Sequence, residues 1–322
     1  HIDGLHCRTG KTRQETDRKN GGPYYGEEAM KQTANGMMKG WMWLLFWSCL
    51  QLNVQAQQDA PVKLRVLHTN DTHSCVQPIT KNYADSALAD KGGFLRRSAW
   101  VKQQRSEDEN LLLFDCGDFS QGSPYYNLFK GEVEVKLMNH MRYDACTIGN
   151  HEFDFGLDNM ARLFRMAQFP VVCCNYGFKG TALEGLVKPY IVLERKGVRI
   201  GVLGVSPEMD GLVARNNFAG VTYEDPVQAA NRVVDILRKQ EMCDFVICLS
   251  HLGWGLKGMN DEVFIRGTHG IDVVLGGHSH SYFSEPEFVE NAEGLYVVCN
   301  QMGKNGRFVG VLELELKPLS EK

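Results

Sequence analysis

Five short stretches of the chain carry side chains that could hold divalent metal ions. They are Asp71-Thr72-His73, Gly117-Asp118, Gly149-Asn150-His151-Glu152, Ser250-His251 and Gly276-Gly277-His278-Ser279-His280. Each supplies Asp, Asn or His, whose oxygen and nitrogen atoms are donors that hard and borderline divalent cations prefer. A single Asp after a strand is usually a cap or turn residue. Five such stretches in one chain predict a metal site.

A pair of divalent cations held close together needs a carboxylate between them, and Asp118 is the natural candidate. A bridging carboxylate offsets the repulsion between the cations, while neutral terminal ligands leave positions open for water and phosphate. Such a pair polarises phosphoryl oxygens and lowers the pKa of a bound water, which becomes the nucleophile. The chemistry that this donor set predicts is hydrolysis of a phosphate ester by a metal-bound hydroxide.

The donors sort into seven candidate ligands and one histidine that is left over. The candidate ligands are Asp71, His73, Asp118, Asn150, His251, His278 and His280. The remaining His151 could stabilise transition-state charge and protonate the leaving group. Asp154 could accept the other ring proton of His151 and fix its tautomer. We therefore predict His151 and Asp154 as catalytic residues, and His68, His140 and His269 as satisfied core or surface histidines.

Each of the five stretches follows an apolar, strand-like run. The five runs are Val62–His68, Leu111–Phe114, Ala145–Ile148, Phe245–Leu249 and Val273–Leu275. Amphipathic segments predict helices over Phe94–Ser106, Glu132–Met141, Leu157–Ala167 and Pro226–Gln240, the last with Asp225 as its N-cap. Further strands are predicted over Val171–Asn175, Tyr190–Arg195, Val198–Val205, Leu295–Val298 and Phe308–Leu316. Because the carboxyl ends of strands in layered α/β folds share one edge, we expect the five stretches to meet there.

The first 56 residues differ in character from the rest of the chain. Residues 1–36 are polar and lack apolar periodicity, so we expect a disordered or non-native extension. Residues 37–56 predict a signal peptide, because a basic residue precedes a short apolar run and Ala56 offers a cleavage site. A buried helix, or acylation at Cys49, is the alternative. Residues 57–322 would then form one exported catalytic domain, periplasmic or at the cell surface, with no transmembrane span.

Charge and cysteine usage argue against a protein that coats nucleic acid, against disulfides and against a structural zinc site. The formal net charge of −4 argues against a protein that coats nucleic acid. The ten cysteines of an exported chain would ordinarily indicate disulfides. Most of them lie within or beside apolar runs, which favours buried free thiols. No C-x-x-C spacing is present, which disfavours a structural zinc site.

The same stretches resemble the calcineurin-like metallophosphoesterase superfamily. The matching motifs are Asp71-x-His73, Gly117-Asp118-x-x-Gln121-Gly122, Gly149-Asn150-His151-Glu152-Phe153-Asp154, His251 and Gly277-His278-x-His280. Within the superfamily, Leu67-His68-Thr69-Asn70-Asp71 and the stretch from Gly149 to Asp154 are similar to the catalytic domain of secreted 5′-nucleotidases. The resemblance covers Val62 to Leu316. It implies a four-layer α/β/β/α sandwich of two mixed sheets between layers of helices.

The resemblance also implies roles for the candidate residues. One cation would be held by Asp71, His73, Asp118 and His280, and the second by Asp118, Asn150, His251 and His278. His151 would act on the phosphate and leaving group with support from Asp154. The cations could be Mn, Zn, Co or Fe, since mixed oxygen and nitrogen donors without thiolates admit all four.

Two departures from the nucleotidase pattern leave the substrate open. His280 stands where nucleotidases of this branch often carry Gln or Asn, and that histidine is common in relatives that cleave cyclic nucleotides. Secreted 5′-nucleotidases also carry a C-terminal domain that grips base and phosphate, whereas this sequence ends at Lys322. The leading expectation is an exported phosphoesterase of nucleotide catabolism that acts on nucleotides or similar small phosphate esters. The alternatives are a 2′,3′-cyclic-nucleotide phosphodiesterase, a catalytic half completed by a separate substrate-binding chain, or a non-catalytic partner.

Overall fold

The structure is a computed structural model that describes residues 61–86 and 88–316. The predicted N-terminal extension and signal peptide, residues 1–56, lie outside the described residues. Across the described ranges, none of the helices combines the length and hydrophobicity that a membrane span requires.

Two six-stranded mixed sheets form the centre of the fold. The first sheet has the spatial order β14 (Gly310–Leu316), β1 (Val62–Thr69), β2 (Leu112–Asp115), β3 (Ala145–Cys146), β4 (Val171–Val172) and β6 (Val187–Lys188). The second has the order β12 (Glu287–Glu290), β13 (Tyr296–Asn300), β11 (Val273–Leu275), β10 (Phe245–Ser250), β8 (Val198–Val205) and β7 (Tyr190–Arg195). A small antiparallel pair is formed by β5 (Tyr176–Gly177) and β9 (Thr222–Tyr223).

Six α-helices are described. They are α1 (Phe94–Glu107), α2 (Pro124–Phe129), α3 (Glu132–Met141), α4 (Gly156–Met166), α5 (Pro226–Lys239) and α6 (Asp261–Gly267). Short 3-10 helices cover His151–Phe153 and Arg215–Asn217.

Alternating side chains along the strands build three apolar layers. On β2, Leu112 and Phe114 belong to the cluster between the two sheets, whereas Leu113 packs in the cluster that includes α1, α3 and α4. On β10, Ile247 lies in the cluster between the sheets and Cys248 in the cluster that includes α5 and α6. Because strand side chains alternate between faces, each sheet buries both of its faces. The predicted four-layer α/β/β/α sandwich is confirmed.

The helix boundaries follow their capping residues. Asp225 accepts a hydrogen bond from Gln228 N and precedes a proline at the first helical position of α5, as predicted. Sequence reasoning missed α2 and α6, which have six and seven residues and therefore show little periodicity. Their caps are Ser123 and Asn260, whose side chains accept backbone N–H bonds from the first turn.

Two predicted strands are shorter than expected, and after the second of them the chain passes from one sheet towards the other. The predicted strands from Ala145 and from Val171 have two residues each. After β4, Cys174 N donates to Gly204 O at 2.8 Å, so its hydrogen bond goes to β8 in the second sheet. The predicted terminal strand begins at Gly310 instead of Phe308, whose exposed ring stacks on Tyr282. All eight described cysteines are free thiols, as expected, and only Cys75 among them is not buried.

Candidate metal centre

The five donor stretches converge at the carboxyl ends of strands from both sheets. Asp71 follows β1, Asp118 follows β2, and His251 follows β10. Backbone hydrogen bonds tie neighbouring loops together: Asp71 N donates to Gly117 O at 3.0 Å, and His73 N donates to Asp118 O at 3.0 Å. Donors far apart in sequence, such as Asp71 and His278 at a separation of 207 residues, therefore meet in one place.

One group of donors surrounds Asp71. His280 Nε2 lies 3.5 Å and His73 Nε2 lies 3.9 Å from Asp71 Oδ1, and the two histidine nitrogens lie 3.0 Å apart. The ligand atoms of these three residues all lie within 4.8 Å of one another, close enough to share one metal ion. These three are among the four residues expected to hold the first cation.

A second group surrounds Asp118. His251 Nε2 lies 3.2 Å from Asp118 Oδ2, and the rings of His251 and His278 lie 5.1 Å apart. Asp118 also falls within 4.8 Å of donor atoms of His73 and His151. Asp118 is therefore placed between both groups, where a bridging carboxylate would have to lie.

The unpaired donors in this region fit a divalent cation. The Asn150 side-chain oxygen Oδ1 is buried and has no hydrogen-bond partner among the described residues. His251 Nδ1 lies 2.6 Å from Cys116 O, and because a carbonyl only accepts, this nitrogen carries the proton. In the neutral ring Nε2 then presents its lone pair beside Asp118. That arrangement is repulsive unless a proton or a metal ion lies between them.

The pKa values of the buried protein groups also indicate that this region would be stabilised by a positive charge. Burial raises the pKa of Asp71 to about 7. Burial would lower the pKa of His251, but the carboxylates of Asp118 and Asp71 outweigh it and raise that pKa to about 10. Burial lowers the pKa values of His73 and His278 to about 4, so these rings are neutral and available as ligands.

Five of the seven predicted ligand residues have left-handed backbone conformations. Their φ angles are 48° for Asp71, 43° for His73, 55° for Asp118, 71° for His278 and 58° for His280. This region is uncommon for residues with a side chain, and such strain is concentrated at functional sites. At these five residues the backbone is therefore held in an unfavourable conformation, which directs the donor side chains toward one another.

The buried Glu152 holds the loop that carries Asp118. Its carboxylate accepts hydrogen bonds from Asp118 N at 2.9 Å, Ser120 N at 3.1 Å and Gly149 N at 2.7 Å. Gly149 is required beside it, because a Cβ there would lie 2.1 Å from Asp118 Oδ1. Glu152 was noted in its motif but was given no role from the sequence.

Replacing Glu152 by glutamine should loosen the site without removing a ligand. The side-chain amide of the glutamine would place its own N–H group against backbone N–H groups that now donate to Glu152. We therefore expect a loss of about 2–3 kcal/mol in the free energy of unfolding. Metal affinity should fall by about 10–100-fold, as for other residues that position ligands. Urea unfolding and metal titration would measure both. The control is Glu184→Gln, which alters an exposed carboxylate that also accepts a backbone N–H bond. Equal effects of the two substitutions would contradict the positioning role.

His151 lies at the edge of the site with Asp154 behind it. His151 Nδ1 lies 3.0 Å from Asp154 Oδ2, and this hydrogen bond is the main cause of the raised pKa of His151. The backbone of His151 is fixed at both ends, since its N–H donates to Asp118 Oδ1 and its carbonyl accepts from Tyr126. The free Nε2 can therefore face a substrate beside the ligand groups.

Two further positioning residues emerge only from the structure. Asn70 donates to Asp71 Oδ2 at 2.6 Å and to Gly303 O at 2.8 Å. Gln301 Nε2 donates to Gly277 O at 2.6 Å, and its Oε1 accepts from Ser279, which fixes the loop before His280. Adjacency to Asp71 could have pointed to Asn70, whereas no sequence signal marks Gln301.

The three histidines expected to be structural lie outside the ligand groups. His140 is exposed, and His269 Nε2 lies 3.1 Å from Asp235 Oδ1. His68 is fully buried, but neither of its ring nitrogens has a hydrogen-bond partner among the described residues. The expectation that His68 is a satisfied core residue was wrong, because β14 packs a glycine against its ring and offers no polar side chain there.

The fold and the convergent donors define a metal-binding hydrolase built as a four-layer α/β/β/α sandwich, with its centre at the carboxyl edge of two packed sheets. The model of the calcineurin-like phosphoesterase family matches residues 64–282. The chain belongs to this family of metal-dependent phosphoric ester hydrolases.

Comparison with individual proteins points to one branch of the family. The chain is 32% identical to snake venom 5′-nucleotidase of Crotalus adamanteus, over 83% of this chain and 45% of that protein. It is 31% identical to 5′-nucleotidase of Homo sapiens, over 79% of this chain and 46% of that protein. The crystal structure of a 5′-nucleotidase precursor from Thermus thermophilus superposes with a TM-score of 0.70 at 31% identity, covering 79% of this chain and 51% of that one. The chain thus spans about half the length of these relatives.

Proposed function

We propose that this chain is an exported, metal-dependent phosphoesterase that hydrolyses nucleotides to a nucleoside and phosphate. The observation that carries the proposal is the convergence of aspartate and histidine donors around Asp118, with His151 beside them. The similarity to 5′-nucleotidases supports the nucleotide as substrate. The predicted signal peptide supports export.

Two cations would be held by the two donor groups. Asp71, His73 and His280 would bind one, and His251, His278 and Asn150 the other, with Asp118 shared. When bound, the cations would supply positive charge to the phosphoryl oxygens and acidify a water to the attacking hydroxide. Asp118 would be placed to fix their spacing, since its ligand atom lies within 4.8 Å of those of His251 and His278 and also of that of His73.

His151 would donate a proton to the leaving group. Its Nδ1–H donates to Asp154, which leaves Nε2 as the nitrogen that faces the substrate. The raised pKa keeps the ring protonated nearer to neutral pH, so that it can stabilise negative charge on phosphate and protonate the departing oxygen.

A second candidate substrate is a 2′,3′-cyclic nucleotide. The observation that favours it is His280, which lies 3.0 Å from His73 and so belongs to the ligand group. The same donors would serve either ester. A separate chain that supplies substrate-binding groups has no support from the comparisons.

A hydrolysis screen of the purified chain tests the proposal. After chelation and reloading with Mn or Zn, nucleoside monophosphates, 2′,3′-cyclic nucleotides, sugar phosphates and p-nitrophenyl phosphate are compared by phosphate release. We expect the highest kcat/KM for nucleoside monophosphates and no turnover by the chelated protein. A preference for cyclic nucleotides would select the second candidate, and a preference for sugar phosphates would refute both.

A further inference from the structure

Asp261 is a fully buried carboxylate that is neither a candidate ligand nor part of the proposed chemistry. It is the first residue of α6, and its backbone N–H donates to Gly253 O at 2.7 Å. Its Oδ1 accepts a hydrogen bond from Ser250 Oγ, whereas its Oδ2 has no hydrogen-bond partner within the described ranges. Burial raises the pKa of this carboxyl group to about 7. Because a buried carboxylate with an unpaired oxygen is costly, Asp261 does not serve stability alone.

The Asp261 carboxylate lies between the two loops that carry the histidines of the second donor group. The strands β10 and β11 pair in parallel, so Ser250-His251 and Gly276-Gly277-His278 leave the sheet side by side. Ser250 donates to one carboxylate oxygen. A Cβ at Gly276 would lie 2.6 Å from the other oxygen, so the carboxylate packs directly against this part of the backbone. Asp261 therefore contacts both histidine loops at the point where they leave the sheet.

The glycine pair Gly276-Gly277 brings Asp261 close to the candidate metal centre. A Cβ at Gly277 would lie 2.9 Å from His251 Nδ1 and 3.3 Å from Asp71 Oδ2, whereas one at Gly276 would meet Asp261. The two glycines thus allow a close approach that side chains would prevent. Since the energy of a charge–charge interaction falls with distance, this approach strengthens any interaction between the Asp261 charge and a cation at the centre.

From this geometry, and resting on the two-cation site of the proposed function, we infer that Asp261 is a positioning residue for the cation that His251 and His278 would hold. Its carboxylate fixes the spacing of the two histidine loops, and its negative charge favours a cation beside them. The cost of burying this charge in the metal-free protein is then offset when the cation binds.

Replacing Asp261 by asparagine tests the role of the charge, because the amide keeps the volume and an acceptor for Ser250 Oγ. The metal-free full chain is titrated with Mn, and the dissociation constants are measured by calorimetry. We expect the affinity for one ion to fall by at least about tenfold, as for other residues behind metal ligands, and the affinity for the other ion to change little. The urea midpoint of the metal-free protein should not fall, because the variant buries no charge.

Asp272→Asn is the matched control, because it removes a carboxylate of the same sheet that has its partners. Asp272 directly precedes β11, at the opposite end of this strand from Gly276. It accepts a hydrogen bond from Val246 N at 2.7 Å and forms an ion pair with Arg238 at 2.5 Å. We expect the control to lower the urea midpoint and to leave both metal affinities unchanged, which is the reverse of the pattern expected for Asp261→Asn.

A second variant, Asp261→Ala, separates the charge from the contact with Ser250. It removes both, so it should lose at least as much metal affinity as Asp261→Asn and should also unfold at a lower urea concentration. Asparagine would then restore the stability that alanine loses, but not the metal affinity. A residue with a purely structural role would show recovery of both by asparagine.

Three results would overturn the inference. They are an Asp261→Asn protein with unchanged affinity for both ions, an equal loss of affinity in Asp272→Asn, and an Asp261→Asn chain that does not fold without metal. If the unaltered protein binds Mn but cleaves no phosphate ester, the proposed function fails, while the dissociation constants still decide the role of Asp261.

Discussion

Replacing Asp118 by alanine is expected to lower kcat/KM by about a thousandfold or more, since the metal charge it would organise is worth several kcal/mol. Asp118 lies between both donor groups: its Oδ2 lies 3.2 Å from His251 Nε2, and its carboxylate also falls within 4.8 Å of a donor atom of His73. Loss of the carboxylate removes the charge that would hold two cations at a fixed spacing. Phosphate-release kinetics and elemental analysis should show lost activity and a fall from two metal ions to at most one.

Two further variants separate this effect from simple unfolding. Asp118→Asn keeps the shape and one acceptor oxygen for His151 N but removes the charge, so it should fold and remain inactive. Asp158→Ala removes an exposed carboxylate from the first turn of α4 and should retain full activity. A metal-loaded Asp118→Ala enzyme that keeps most of its activity would refute the shared ligand. An unaltered protein that binds a single ion would refute it as well.

Replacing His151 by alanine is expected to reduce kcat by about 10²–10⁴-fold, the usual contribution of a positioned acid or base. The reduction should depend on the leaving group. A nucleoside alkoxide needs a proton to depart, whereas p-nitrophenolate is stable as an anion. The loss should therefore be several times larger for a nucleoside monophosphate than for p-nitrophenyl phosphate. Equal losses on both substrates would assign His151 to phosphate binding and contradict its role as an acid.

The role of His151 as an acid can also be tested through Asp154, because this residue should change the pH dependence of kcat/KM. Its hydrogen bond raises the pKa of His151, so the protonated, acid-competent ring persists to higher pH. In Asp154→Asn this support is lost and the pKa of His151 falls. The alkaline limb of the kcat/KM profile should then move to lower pH, with a smaller loss of maximal activity than in His151→Ala. The exposed Asp158→Asn is the control, and an unmoved limb would show that Asp154 does not tune His151.

Much of the fold could be predicted from local sequence patterns. The period of apolar residues marked α3 with the correct bounds, and a proline after an Asp marked the start of α5. Continuous apolar runs marked the strands that precede each donor stretch. These signals are local because side-chain alternation and capping depend on residues a few positions apart.

Other features could not be predicted, because their causes lie far away in sequence. The crossing from the first sheet to the second shortens β4 through a hydrogen bond from Cys174 to Gly204. The anchoring of Gly277 by Gln301 depends on a loop beyond β13. A cleft beside His73 forms only because the helix Pro124–Phe129 packs opposite the loop with Val76 and Ile79.

By itself, the sequence determined which side chains could bind metal and act on a phosphate ester, since Asp118, His151 and their neighbours are identifiable by residue type and by position after a strand. Tertiary structure alone brought those donors together and set the distances between them. It also imposed the left-handed backbone at five of them and set Glu152 beneath Asp118. The physical reason is that strained backbone persists only where packing and hydrogen bonds from distant segments outweigh its cost. No local pattern along the chain records those contacts.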